Sequence, residues 1–281
     1  MKVFNMEIID IIKEAFIFPS NNLEKLAIYI VLTFVMGMLV VGGIFSFVFS
    51  SQSSALLIVG LILCIAAIIL ALIISGYQLK IMKSGIDQDE EAPAFDWKND
   101  GINGIKVIVL GIVYFIIPAI IVGIVALITN VPGNLVQIIQ EYSTSINATA
   151  AVNSTASAMP AVSSASWAAL GTSLAITAII AFVLFIIFAF IQTMGQARLA
   201  NTGSLGNGLN IVEAAKDISR IGVGKVIAVI LLVFIVIMVI QGILGYIYGQ
   251  IPQLSIISII ITPYFVFFTQ RAYGLLYSDI A

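Results

Sequence analysis

The chain has 281 residues, of which 61% are hydrophobic and 9% charged, whereas an average soluble domain carries about 25% charged residues. A mean hydropathy of +1.16 and a formal net charge of −2 exclude an ordinary soluble fold and leave no basic field for nucleic acid. No histidine is present, which removes histidine bases, Ser-His nucleophile pairs and histidine-ligated metal or haem, and the lone Cys64 has no internal disulfide partner.

Over residues 6–16, Ile8, Ile11, Ile12, Ala15 and Phe16 share one side of a helix and Glu7, Asp10, Lys13 and Glu14 the other. This predicts an amphipathic helix lying in the membrane interface. The acids mixed into this segment are unlike a cleaved signal, so the first span is expected to direct insertion. Pro19, Ser20 and two asparagines then predict a turn. Six runs offer the roughly 20 apolar residues that a spanning helix needs. They cover 26–49, 55–79, 104–129, 167–192, 223–245 and 254–272, the last interrupted by Pro263. The expected fold is all-α: a single membrane domain of six transmembrane helices arranged as three hairpins.

All twelve lysines and arginines fall on one side of these spans. Lys2, Lys13 and Lys25 precede the first; Lys80, Lys83, Lys98 and Lys106 separate the second and third; Arg198, Lys216, Arg220 and Lys225 separate the fourth and fifth; Arg271 ends the sixth. By the positive-inside rule both termini are expected to be cytoplasmic. The segment 76–106 is the main polar face, packing ten charged residues between two apolar runs.

The outer side is nearly uncharged. Its long loop, 130–166, is rich in Ser, Thr, Asn and Ala with Glu141 as its only charge, which predicts a weakly structured segment with a short helix around 134–142. Asn147 and Asn153 each begin an Asn-x-Ser/Thr triplet there and are candidate glycosylation sites. On the inner side, Ile211, Ala214, Ala215, Ile218 and Ile221 oppose Glu213, Lys216, Asp217 and Arg220, predicting a second interfacial helix. Residues 95–105 read as a third and shorter one, with Asp96 as N-cap and Trp97 at headgroup level. Cytoplasmic amphipathic helices would then precede spans 1, 3 and 5. The ends of the returning spans echo one another in Gln78-Leu-Lys80, Gln196-Ala-Arg198 and Gln270-Arg271, which suggests internal repetition.

No charged residue lies in the centre of a predicted span, which argues against proton relays and membrane aspartyl dyads. The run Asp87, Asp89, Glu90, Glu91 lacks EF-hand spacing and reads as a solvated loop. The chain thus offers no catalytic, cofactor or metal-binding set. The candidate contacts to membrane lipids or to a protein partner, including a second copy, are Lys80, Lys83, Phe95, Asp96, Trp97, Arg198, Lys216 and Arg220. The leading expectation is a non-enzymatic protein that organises lipid or partner proteins at the inner face. The alternative is a transporter or channel for a small neutral solute along a path lined by Gln192, Gln196 and Gln241.

The run from Gly76 and Tyr77 through Lys80, then Pro93-Ala-Phe95-Asp96-Trp97, Asp100-Gly101, Gly104-Ile-Lys106 and Tyr114 to Pro118, resembles an archaeal multi-pass family catalogued as domain of unknown function 4013. Ala197-Arg198 through Thr202-Gly203-Ser204 is similar to that family's second inner loop. The family's acidic loop usually reads P-x-F-D-D-W, and this chain carries one acid fewer. The resemblance implies an archaeal plasma-membrane setting and no activity to carry over. A fainter similarity in layout to the membrane domain of bacterial glycerophosphodiester phosphodiesterases hints at a lipid-associated role.

Overall fold

A computed structural model of the chain describes residues 5–151 and 162–281, and among these every regular element is helical. In order they are α1 (Ile8–Asn21), α2 (Leu23–Val48), α3 (Ser54–Asp87), α4 (Trp97–Ile128), α5 (Val131–Ala151), α6 (Ser164–Thr202), α7 (Leu205–Gly208), α8 (Ile211–Ile221), α9 (Val223–Gln250) and α10 (Ser258–Tyr277). Short 3-10 turns, Ser50–Gln52 and Pro252–Ile257, precede α3 and α10. Six segments are long and apolar enough to cross a membrane: α2, α3, α4, α6, α9 and the stretch Pro252–Tyr277 that contains α10.

Several boundaries differ from the sequence expectation. α1 continues through Pro19 and stops at Asn22, whose N–H donates to the Pro19 carbonyl at 3.2 Å. A proline this close to a helix end removes one backbone bond without breaking the remaining turns. The separate helix expected over 95–105 is not separate: its residues from Trp97 onward form the first turns of α4, which runs unbroken for 32 residues. α3 also extends past its apolar run. Its 34 residues span about 51 Å, well beyond the roughly 30 Å of a bilayer's hydrocarbon core.

The chain divides into two compact units, Met1–Gly111 with Ile191–Ala281, and Ile112–Phe190. In the first, helices approach closely where glycine removes the side chain. A Cβ added to Gly76 of α3 would lie 1.7 Å from the Asp100 carbonyl oxygen of α4, and one on Gly104 would lie 1.8 Å from that of Leu72. α3 meets α10 in the same way, since a Cβ on Gly274 would lie 2.1 Å from the Met82 carbonyl oxygen. Beside these crossings, Tyr29, Tyr77 and Phe267 form a buried aromatic cluster onto which Phe95 packs.

The second unit contains the end of α4, α5 and the start of α6. The expected weakly structured loop is largely the 21-residue α5. Asn130, at φ +60°, turns the chain between α4 and α5, a conformation asparagine tolerates better than most residues. Asn134 then donates to the Ala169 carbonyl and to Ser173 Oγ, and Gln137 to Ser166 Oγ at 3.0 Å. Glu141 accepts from the Ser163 N–H at 2.9 Å and from the hydroxyls of Ser163 and Ser166. Its carboxyl is held down at about 2, first by the Ser166 hydroxyl and then by the Ser163 N–H. Polar pairing along α6 therefore orders a segment whose composition alone carries little hydrophobic drive. Asn147 is exposed on α5, while Asn153 lies outside the described residues.

Candidate functional site

The charged residues of the first unit converge on the ends of α3, α6 and α10 and the starts of α1, α4 and α8. Among the described residues, four cation–carboxylate pairs between elements organise this region; one joins Lys225 of α9 to Asp279 just after α10 at 2.5 Å, and the other three each tie a helix end to a lead-in segment. In the first of these three, Lys80 Nζ of α3 lies 2.9 Å from Asp100 Oδ1 of α4 and donates to the Ala94 carbonyl at 2.6 Å. Asp100 is fully buried. Its Oδ2 accepts the Asp96 N–H at 2.8 Å, while Asp96 Oδ1 accepts the Asn99 N–H at 3.1 Å. Asp96 thus caps α4 as its sequence position predicts, and the Asn99 N–H and amide hold its carboxyl below the usual range. Tyr77 completes the corner: its hydroxyl donates to the Pro93 carbonyl at 2.9 Å and its ring stacks on Phe95 at 3.6 Å.

The second pair joins Arg198 of α6 to Asp217 of α8 at 2.7 Å. Asp217 is buried and fully used, because Oδ2 also accepts from the Tyr277 hydroxyl at 3.0 Å and Oδ1 from Arg220 Nη1 at 2.7 Å. Glu213, bound by Lys216 first and Arg220 second, has its carboxyl held low, and Asp217 raises the Arg220 guanidinium. The third pair joins Arg271 of α10 to Glu14 of α1 at 2.5 Å. Arg271 is only 1% exposed; Nη1 donates to the Asp89 carbonyl at 2.7 Å and the guanidinium lies 4.4 Å from the centre of the Phe18 ring.

The pattern is cyclic along the chain. The cation at the end of α3 binds the start of α4, and that of α6 binds α8, which leads into α9. The cation of α10 returns to α1, which leads into α2. A buried pair of this kind fixes geometry more than it adds net stability, since desolvation offsets much of the attraction.

The structure brings Lys80, Phe95 and Asp96 into one corner and Arg198 and Arg220 into another. Trp97 remains 57% exposed at the start of α4, and Lys216 and Arg220 are about half exposed on α8. Lys83 pairs with Asp87 one turn further along α3, at 2.7 Å and partly exposed. Sequence reasoning did not single out Asp100, Glu14 or Arg271 as contact residues. The echo of Gln-x-Lys/Arg at the returning ends marked the cations, but their partners sit on other elements and carry no local signal.

Two cavities adjoin this framework. One of about 720 Å³ runs between α2 and α10, walled by Phe34, Met38, Val41 and Val266 with the Thr33 and Thr262 hydroxyls, and is largely apolar. A smaller one, about 270 Å³, is lined by Lys80 and Lys83 of α3, Asn103 of α4, and Asn201 to Gly203 at the end of α6. Of the glutamines proposed to line a transport path, Gln192 and Gln196 are half-buried on α6 and Gln241 is exposed on α9.

Compared with known proteins, residues 59–249 match the family model described as protein of unknown function (DUF4013). No curated protein and no solved structure matches the chain.

Proposed function

The chain belongs to the DUF4013 family of proteins of unknown function, and from that premise we propose a non-enzymatic multi-pass membrane protein that organises lipid or partner proteins at the inner membrane face. In this reading the six long apolar helices form three hairpins in an archaeal plasma membrane. Both termini are cytoplasmic, and α1, the first turns of α4 and α8 lie at the interface.

The observation that carries the proposal is the division of labour at the charged end. Asp100, Asp217 and Glu14 tie down Lys80, Arg198 and Arg271. Around that framework Trp97, Lys216 and Arg220 stay exposed. An interfacial tryptophan beside half-exposed cations suits a headgroup layer or an acidic partner.

The test is gentle purification of the wild type and of a Trp97→Ala, Lys216→Gln, Arg220→Gln variant from native membranes, with mass spectrometry of whatever co-purifies. Loss of an enriched lipid or a stoichiometric partner from the variant is the expected result. A variant that inserts and keeps every such contact sinks the reading. Solute flux in proteoliposomes that falls with Gln192→Leu would instead favour transport.

A further inference from the structure

The small cavity between α3, α4 and α6 differs from α8 in its balance of charge. On α8 each exposed cation is matched: Lys216 by Glu213, and Arg220 by both Glu213 and Asp217. Around the small cavity there are three ammonium groups, Lys80, Lys83 and Lys106, and two carboxylates, Asp100 and Asp87. Lys106 stands at the rim, where Nζ donates to the Gly203 carbonyl at 2.9 Å and to Asn103 Oδ1 at 3.4 Å. Among the described residues no carboxylate pairs with it. An ammonium carries three donors, so these two bonds leave one for a ligand.

Lys83 is similarly available. Its bond to Asp87 is an i,i+4 pair in which the lysine side chain is 45% exposed. Such partly exposed helix pairs are weak, so an incoming anion can take the lysine over. The Asn103 and Asn201 amides add neutral donors to the same lining. The volume of about 270 Å³ lies below the roughly 300–1,000 Å³ of sites for drug-sized ligands, which selects a compact group. The location, at the ends of helices long enough to cross a membrane, is where basic pockets hold lipid phosphates.

We propose that the cavity lined by Lys83, Asn103 and Asn201 and rimmed by Lys106 is a binding site for a phosphate group, carried either by an anionic lipid headgroup or by a soluble phosphate monoester. This deepens the reading of the charged end as a lipid-facing surface and rests on it. Lys80 is the fixed wall of the site, because Asp100 and the Ala94 carbonyl hold its ammonium in place. Lys83 and Lys106 supply the contacts that form on binding.

The experiment is native mass spectrometry of the full chain in detergent, titrated with phosphatidylglycerol or with phosphatidylcholine of the same tails, and separately with glycerol 1-phosphate. The wild type should take up one phosphatidylglycerol in preference to phosphatidylcholine. At about fivefold per lysine, Lys83→Gln and Lys106→Gln should each weaken that binding, and the double variant should weaken it about 25-fold. A Lys13→Gln control, at an exposed position of α1, should not change it. Displacement of the lipid by millimolar glycerol 1-phosphate identifies the soluble monoester as a sufficient ligand, whereas lipid binding without displacement identifies the headgroup as its carrier.

The site is overturned if the folded double variant keeps the full preference, if the Lys13→Gln control loses it equally, or if the wild type binds neither probe selectively. The single Lys83→Gln change alters only a solvated pair, so it remains decisive should Lys106→Gln fail to fold. Loss of the site with retained capture through Trp97, Lys216 and Arg220 would leave the broader reading standing. Retention of the site after that capture is lost would separate the two in the other direction.

Discussion

The Glu14–Arg271 pair gives an asymmetric prediction, because its partners are unequally buried: the arginine side chain is 2% exposed and the glutamate 40%. Replacing Glu14 with leucine removes the only carboxylate paired with Arg271 among the described residues and leaves a buried guanidinium beside the Asp89 carbonyl and the Phe18 ring. Breaking a buried pair from one side costs about 3–5 kcal/mol, and this variant should fall in that range. Arg271→Met should cost less, about 1–3 kcal/mol, since Glu14 can turn into water and the losses are the hydrogen bonds to Asp89 and Ser84. The double variant, with no charge left inside, should be more stable than Glu14→Leu alone. Equilibrium unfolding by sodium dodecyl sulfate in mixed micelles, followed by circular dichroism, measures all three. Strictly additive losses would refute the reasoning, because they would mean that the two side chains contribute independently of each other.

Gly76→Val and Gly104→Val should each destabilise the first unit by about 1–3 kcal/mol or more through forced separation of α3 and α4, and the same unfolding titration reads it. Asp217→Leu should cost about 3–5 kcal/mol, because it strands the mostly buried Arg198 and the Tyr277 hydroxyl at once, while Arg220 keeps Glu213. Glu141 has a folded value of about 2 against an ordinary 4.5, so its contribution is fully present above about pH 4.5 and is lost as pH falls through 2. Hydrogen exchange at the Ser163 and Ser166 amides should therefore accelerate over that window in the wild type, and should show no such step in Glu141→Gln.

The six apolar helices were legible in the sequence because hydrophobic run length reports directly on what lipid can accommodate. Asp96 as a cap was legible because capping is a local pattern. The fusion of residues 97–105 into α4 was not. Gly101 and Gly104 lower helix propensity in isolation, and only the contact of Gly104 with the Leu72 carbonyl shows why a glycine stands there. α5 was underestimated for a related reason, since its order depends on Asn134, Gln137 and Glu141 finding partners on or just before α6. Lys80 and Phe95 read as surface contacts because a lysine and an aromatic beside an acidic loop match a headgroup-facing pattern. The structure also uses them to hold the Pro93 to Asp100 corner against Tyr77.

The cations that define the charge asymmetry are also the bolts of the fold, and the two roles follow from one constraint. An unpaired charge in the middle of a span is costly, so Lys80, Arg198 and Arg271 can be carried only near a helix end, where water lowers the penalty. At that position each can reach past its own helix to an acid on the next lead-in element, and the lead-in is thereby fixed to the end of the span. Asp100, Asp217 and Glu14 are these acids, and the last joins the end of the chain to its beginning. A substitution that removes one such cation therefore frees one lead-in segment from the helix end that holds it. Lys83→Gln detaches no such segment, because the Lys83–Asp87 pair lies within α3. That is the position at which ligand binding can be separated from folding.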